Sequence, residues 1–579
     1  MSGGTPVIQT AEQRRWLNFF SGWYNSLTHR LSLRVMAPLL LGCGIWATGA
    51  IQPGQASDRL VLSYGPIRLP VSLDSLEAYA HSGMLDSDLA PYLQHFEPQI
   101  HARLRASLST QLQLSPQQLK QLLYSPLGER MLSGVSALSV QPEALRQAIL
   151  QAAEAETGLS LLNILRQFPQ TTQIDLYKIS QLWQRYRAVQ QKSESLLQAV
   201  ERSQTPGPDS ERLQSYPPAS RPLSDLRQPG DFRFEHRLLQ FHDHQRSRTL
   251  AVDFYLPSAP PAVPLTVPPQ TKALSLPQID NSSNLSGTPR SLIIISHGLG
   301  SDRRGHAFFA KHLASHGIAA AVVQHPGSDS EQVQAMLQGK AQAAIEVNTF
   351  IERPRDISFL LDELEQRNAA EFGGQLRLDQ VGLYGHSLGA YTALALAGAT
   401  FNFSQLEADC RPEAYLLNLS MVLQCQALEL PRRNYQLQDQ RIALLMLFDP
   451  VSSSILDSAT VQLPVFWGGS NADVVTPLVV EQLPAFERLG SHRKYLSLLD
   501  GIQHMNIQLD YLTQARGLDD QQLIQPKPQA FQDSVNALGL AFVQVYLSDR
   551  SEYSSYLNPA YAQRLSQAPH QLRFLAPRP

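Results

Sequence analysis

From Asp231 onward, short runs of apolar residues alternate with stretches in which apolar residues recur every three or four positions. The first pattern is that of strands buried on both faces, the second that of helices with one buried stripe. The runs are TLAVDFYL (249–256), SLIIIS (291–296), IAAAVVQ (318–324), QVGLYG (380–385), RIALLMLF (441–448), LPVFWGG (463–469) and KYLSLLD (494–500). Helices fit at 305–316, 354–367, 388–399, 477–489 and 529–547. This alternation predicts an α/β fold, a mostly parallel sheet flanked by helices. Ligands of such sheets bind at the carboxyl ends of the strands.

The front of the chain has a different period. Between residues 57 and 203, capping hydroxyls or prolines precede spaced leucines: Ser72 before Leu73 and Leu76, Ser115-Pro116 before Leu119 and Leu122, Pro142 before Leu145 and Ile149. A longer helix is expected from Ile174 to Val200. The segment therefore reads as a small all-α domain. Residues 204–230 carry Pro206, Pro208, Pro217, Pro218, Pro222 and Pro229, which deny the backbone its donors and mark a linker. The α/β domain then spans 231–549. Residues 257–290 form a Pro- and Ser-rich surface insertion expected to be mobile, 400–440 a cap region, and 550–579 a C-terminal tail.

The apolar run Val35–Ile51 holds no charge, follows Arg14, Arg15, Arg30 and Arg34, and is followed by the small residues Gly54-Gln55-Ala56. Residues 1–56 thus read as an export signal cut after Ala56. The alternative is a retained anchor, with membrane association through 35–51. Cys43 leaves with a cleaved signal, so an exported chain keeps two of its three cysteines, Cys410 and Cys425. An oxidising compartment predicts that they pair as a disulfide; two buried thiols are the alternative. With 47 basic against 50 acidic residues, the chain has no cationic surplus for nucleic acid. The cysteines lack zinc-site spacing, and neither a metal nor an organic cofactor is implied.

Gly385-His386-Ser387-Leu388-Gly389 stands between the run ending at Gly385 and a helix-forming AYTALALAGA. A G-x-S-x-G turn between strand and helix exposes a strained serine, and the small flanking residues prevent clashes. A nucleophilic serine needs a base, and the base needs a carboxylate. His504, after the seventh run, is the candidate base. Asp473, after Gly468-Gly469-Ser470-Asn471, is the preferred acid because its flexible approach lets the side chain turn back. Asp449, ending the fifth run before Pro450, is the alternative acid. The Leu388 amide and, from Ser296-His297-Gly298-Leu299-Gly300, the Leu299 amide are candidate oxyanion donors.

The stretches SHGLGSDR, RPRDISFLLDEL and GHSLGAYTALALAGA resemble the platelet-activating factor acetylhydrolase and dienelactone hydrolase-like branch of the α/β-hydrolases, over about residues 232–510. The resemblance implies Ser387 as nucleophile, His504 as base, and the Leu299 and Leu388 amides as the oxyanion hole. Acetylhydrolases take their acid where Asp449 lies, and dienelactone hydrolases proper use cysteine where this chain has Ser387. RLVLSYGPIRLPVSLDSLEAYA and QLLYSPLGERML resemble a helical domain of unknown function found in exported bacterial hydrolases.

Together these features predict an exported serine esterase acting on a small-molecule ester. Phe401, Phe403, Leu406, Leu416 and Leu419 could line an acyl pocket suited to a lipid or other hydrophobic ester. A non-catalytic envelope binding protein and an amidase or peptidase are the alternatives.

Overall fold

In a computed structural model, the seven apolar runs all become strands of one nine-stranded sheet. The structure describes residues 59–64, 66–94, 98–111, 114–156, 158–168, 173–204, 224–258, 289–504 and 529–577. The leader 1–56, most of the Pro-rich linker and nearly all of the insertion 257–290 lie outside the described residues. The chain divides into two units, one of residues up to Lys120 with Val135–Gln181, the other of Gln121–Gly134 with Leu182–Pro579.

The first unit departs from an all-α reading. Strands β1 (Arg59–Tyr64) and β2 (Ile67–Ser72) pair antiparallel, and β3 (Gln173–Asp175) adds parallel to β1. The alternation in RLVLSY and the Gly65-Pro66 break between the strands are a hairpin signal, overshadowed by the leucines that follow. Ser72 then caps the helix Leu73–Ser82, its side chain accepting from the Ser75 amide. Helices also form at Pro116–Leu123, Pro142–Glu154 and Leu176–Gln204, close to where the spacing put them.

In the second unit, β4 (Phe234–Asp243), β5 (Arg248–Pro257), β6 (Arg290–Ser296), β7 (Ala319–Val323), β8 (Leu376–His386), β9 (Thr400–Phe401), β10 (Ile442–Phe448), β11 (Leu456–Asp457), β12 (Val465–Gly469), β13 (Lys494–Leu499) and β14 (Leu572–Leu575) follow in order. The main sheet runs β14-β13-β12-β10-β8-β6-β7-β5-β4, while β9 and β11 form a separate ribbon. The six strands from β13 to β7 are parallel neighbours. Both edges are antiparallel. The run 249–256 thus sits antiparallel between β7 and a partner, β4, one face of which is exposed at His236, Leu238, Gln240 and His242.

Two further differences concern boundaries. Residues 550–577, expected as a tail, contain the helix Pro559–Leu565 and the edge strand β14, with Phe574 fully buried. The helix Pro126–Gly134, read as part of the front domain, packs in the second unit against Pro412–Leu417. Leu127 joins Tyr415, Met421, Val422 and Cys425, and Arg130 pairs with Glu429 at 2.6 Å.

Successive residues of the central strands point into opposite cores: Leu292 and Ile294 into one, Ile293 and Ile295 into the other. This double burial explains the unbroken apolar runs. It also leaves only the strands' ends free to carry polar chemistry.

Candidate active site

Ser387 follows β8 directly and precedes the helix Leu388–Leu396, with φ at 56° and ψ at −116°. A non-glycine residue held at positive φ stores strain that the surroundings must impose. Here the glycines permit it. A Cβ at Gly385 would stand 2.3 Å from the Gly389 carbonyl oxygen, and one at Gly389 would stand 2.0 Å from the Ser296 carbonyl oxygen. The Ser387 amide donates to the Phe448 carbonyl at 2.8 Å, pinning the turn to the end of β10.

Three side chains from three strand ends meet at this turn. Ser387 Oγ lies 2.9 Å from His504 Nε2, and His504 Nδ1 lies 2.7 Å from Asp473 Oδ2; all three are buried. Asp473 is held in turn by its own loop. The Val475 and Thr476 amides donate to its Oδ1 at 2.7 and 2.9 Å, and the Thr476 hydroxyl donates to Oδ2 at 2.7 Å. Burial pushes the Asp473 carboxyl up, but the facing imidazole and these donors outweigh it and hold the group below its ordinary value. Burial likewise pulls His504 down, and Asp473, with a smaller share from Asp449, more than reverses it.

Asp449 also faces the imidazole without bonding to it. Its backbone is left-handed at φ 47°, and its Oδ2 lies 3.9 Å from His386 Nε2. Its Oδ1 has no hydrogen-bond partner among the described residues and borders a small cavity lined by Phe448, Ser470, Ser497, Phe531 and Ser534. Burial first, and the Asp473 charge second, raise this carboxyl well above its ordinary value despite His504. His386, Asp449 and His504 bring one potential ligand atom each within 4.8 Å of one another. Both ring nitrogens of His504 already lie within hydrogen-bond distance of Ser387 and Asp473.

The Leu388 amide is among the first N–H groups of its helix, which the helix itself cannot satisfy. The loop carrying Leu299 is tied just after it to the segment 328–330: Gly300 donates to the Ser328 carbonyl at 2.8 Å, and Ser330 donates to the Ser301 carbonyl at 3.0 Å.

In residues 400–440, expected as a cap region, Cys410 and Cys425 form a disulfide. Its anchor, absent from the sequence reading, is Glu481. This fully buried carboxylate accepts from the Ser452 and Ser453 amides, both at 2.8 Å, from Asn418 at 2.7 Å and from Gln424 at 3.0 Å. Of the expected acyl-pocket residues, Leu406 is fully buried, and Phe401 stacks on Phe403 at 5.4 Å beside Tyr435. Leu416 packs near Gly134. Those four belong to the packing of the cap. Leu419 instead stands exposed, as does Val474, which adjoins Asp473 in sequence; the Ser420 amide bonds the Val475 carbonyl at 2.8 Å to join the two segments.

Thr476 was also missed by the sequence reading, although its signal was present: a hydroxyl three residues after an aspartate is a common local turn. The buried group around Arg353 and Asp356 was missed as well. An Arg-x-x-Asp pair on the otherwise largely apolar buried face of a helix was the available sign.

Residues 56–175 match a family described as alpha/beta hydrolase of unknown function (DUF1400). The match supports a hydrolase scaffold and ends before the nine-stranded sheet begins, so it is independent of the geometry at Ser387. No curated protein matches the chain significantly. Sheet, flanking helices and family match together make the fold that of an α/β-hydrolase.

Proposed function

We propose that this hydrolase cleaves carboxylic esters through an acyl-enzyme, with Ser387 as nucleophile, His504 as general base and acid, and Asp473 as the orienting carboxylate. The reading is carried by one observation, the unbroken chain Ser387–His504–Asp473 at 2.9 and 2.7 Å. His504 Nε2 takes the hydroxyl proton as Oγ attacks the acyl carbon. Asp473 stabilises the imidazolium and fixes the tautomer that presents Nε2 to the serine. The proton passes to the departing alkoxide, and water then repeats the sequence to release the acid. The Leu388 and Leu299 amides receive the negative charge that develops on the carbonyl oxygen.

A hydrophobic ester suits the exposed Leu419 and Val474 beside the acid, since exposed apolar side chains at a site's edge favour apolar ligand surface. Export suits the Cys410–Cys425 disulfide, which persists best in an oxidising compartment. Among the described residues no helix is long and apolar enough to cross a membrane. The run 35–51, the proposed signal or anchor, lies outside them.

The test is labelling by a fluorophosphonate, expected for the native protein and lost in Ser387→Ala, followed by turnover of nitrophenyl esters of increasing chain length beside matching anilides. Faster anilide turnover would replace the esterase by an amidase. Equal turnover of all chain lengths would remove the hydrophobic preference.

A further inference from the structure

Behind the oxyanion loop lies a second, wholly buried polar cluster. Ser296 ends β6, His325 follows β7, and Arg353 and Asp356 lie one turn apart on the helix Thr349–Phe372; none of the four is exposed. Ser296 Oγ lies 3.0 Å from His325 Nε2, and His325 Nδ1 lies 3.1 Å from Asp356 Oδ2. Arg353 Nη2 donates to the His297 carbonyl and, at 3.4 Å, to Ser296 Oγ. The His325 amide donates to His297 Nε2 at 3.1 Å, and His297 Nδ1 lies 2.7 Å from the Gly298 carbonyl. Every polar atom of the segment from Ser296 Oγ to the Gly298 carbonyl that these bonds touch is thus held from below.

The cluster is also in register with the nucleophile. The Ser296 carbonyl is the atom that a side chain at residue 389 would strike, so the loop's root and the first turn of the Ser387 helix are in backbone contact. Moving Ser296 or His297 would therefore change the spacing between the Leu299 and Leu388 amides.

Arg353 sits there at a cost. Its Nε and Nη1 are buried with no hydrogen-bond partner among the described residues. Buried donors left unmade destabilise a fold, and such local losses concentrate at functional sites.

We propose that Arg353, with Ser296, His325 and Asp356, positions the oxyanion loop: the guanidinium holds the His297 carbonyl and the imidazole, backed by Asp356, holds Ser296 Oγ, so that the Leu299 amide stays aimed at the carbonyl oxygen. This rests on the serine-hydrolase reading above. Arg353 is a positioning residue. It reaches the substrate only through the loop, and its charge adds a field favourable to the oxyanion.

The experiment compares Arg353→Met and Arg353→Lys in the full chain, with fluorophosphonate labelling taken to completion so that turnover is expressed per labelled serine. For Arg353→Met, kcat per labelled site should fall about 100-fold, the scale of one lost oxyanion donor. KM should stay within about threefold, because the loss falls on the transition state. Affinity for a trifluoromethyl ketone, whose hemiketal oxygen occupies the same hole, should fall in parallel, and Arg353→Lys should restore part of both. A purely structural arginine would lower the number of labelled sites and leave turnover per site and ketone affinity unchanged, and that result would overturn the proposal. Should Arg353→Met fail to fold, Ser296→Ala gives the same two readouts, with a several-fold loss expected and none fatal to the clamp. Absence of labelling in the native protein, or labelling that survives Ser387→Ala, would sink the hydrolase reading itself. Normal labelling with indifferent Arg353 and Ser296 variants would sink only the clamp.

Discussion

Among the described residues two serine–histidine–aspartate series have nearly the same dimensions, and their charges set them apart. At the candidate site the separations are 2.9 and 2.7 Å, from Ser387 through His504 to Asp473. Behind the oxyanion loop they are 3.0 and 3.1 Å, from Ser296 through His325 to Asp356. Both imidazoles are buried, and burial lowers the basicity of each. His504 faces Asp473 and Asp449 and ends above the ordinary histidine value. His325 lies beside Arg353 and Arg248 and falls to about 4. Asp356 meanwhile pairs with Arg246 and Arg248, each at 2.8 Å; burial raises its carboxyl, but the hydrogen bond from His325 and then that from Arg248 outweigh this and hold it at about 2. A hydrogen-bonded triad is therefore not enough to make a base. The sign of the surrounding charges decides whether the imidazole can accept a proton or serves only to hold a loop.

Serine replacement breaks the comparison most sharply. Ser387→Ala should abolish labelling and lower kcat by about 10⁶-fold, as loss of a triad nucleophile does in other hydrolases, whereas Ser296→Ala should still label fully. Labelling lost with Ser296 instead would exchange the roles of the two series. Acid replacement comes next. Asp473→Asn should lower kcat by about 10⁴-fold through the wrong imidazole tautomer. Asp449→Asn should cost at most about tenfold, because burial and the Asp473 charge already disfavour the ionised form of that carboxyl and it makes no hydrogen bond to His504. The reverse ranking would make Asp449 the acid.

A subtler difference shows in the acid limb of kcat/KM. The general base must be unprotonated, so activity should rise with pH through the elevated His504 value, above the ordinary 6.5. Asp473→Asn removes the main stabiliser of the imidazolium and should move that limb down. A limb unmoved by the substitution would mean that Asp473 does not act on the base.

What could be read from sequence follows from how locally each feature is specified. The double-sided strands announce themselves because both faces must be apolar. The turn at Ser387 does so because Gly385 and Gly389 leave no room for side chains. The expectation of a Cys410–Cys425 disulfide needed only a compartment and a count. Edge strands such as β4 and β14 were hidden because one face is wet or the strand is only four residues long. The hairpin at Arg59–Ser72 was hidden by the leucine-rich helices after it. Nothing in a linear pattern could draw Ser296, His325, Arg353 and Asp356 together, since they come from two strand ends and a helix. Glu481, a charged residue buried among cap residues, is unreadable for the same reason: its partners are 28 to 63 residues away.

The smallest expected effect concerns stability, and it separates the two imidazoles where activity cannot. His325 titrates near 6.5 when unfolded and near 4 when folded, so over that interval the unfolded chain binds more protons. The folded state is then penalised progressively as pH falls from about 6.5 to about 4, at up to about 1 kcal/mol per pH unit, and unaffected above it. His325→Gln should flatten the fall of the thermal midpoint across that window while lowering the midpoint at pH 7 through the lost hydrogen bonds. His504 is raised, so its contribution has the opposite sign: present below about 6.5 and lost as pH climbs through the folded value. Replacing it should leave the window from about 6.5 to about 4 unchanged and remove the gain in stability that comes as pH falls from the folded His504 value to about 6.5. If both substitutions changed the profile in the same direction, the two imidazoles would share one electrostatic setting, and the distinction between base and clamp would fail.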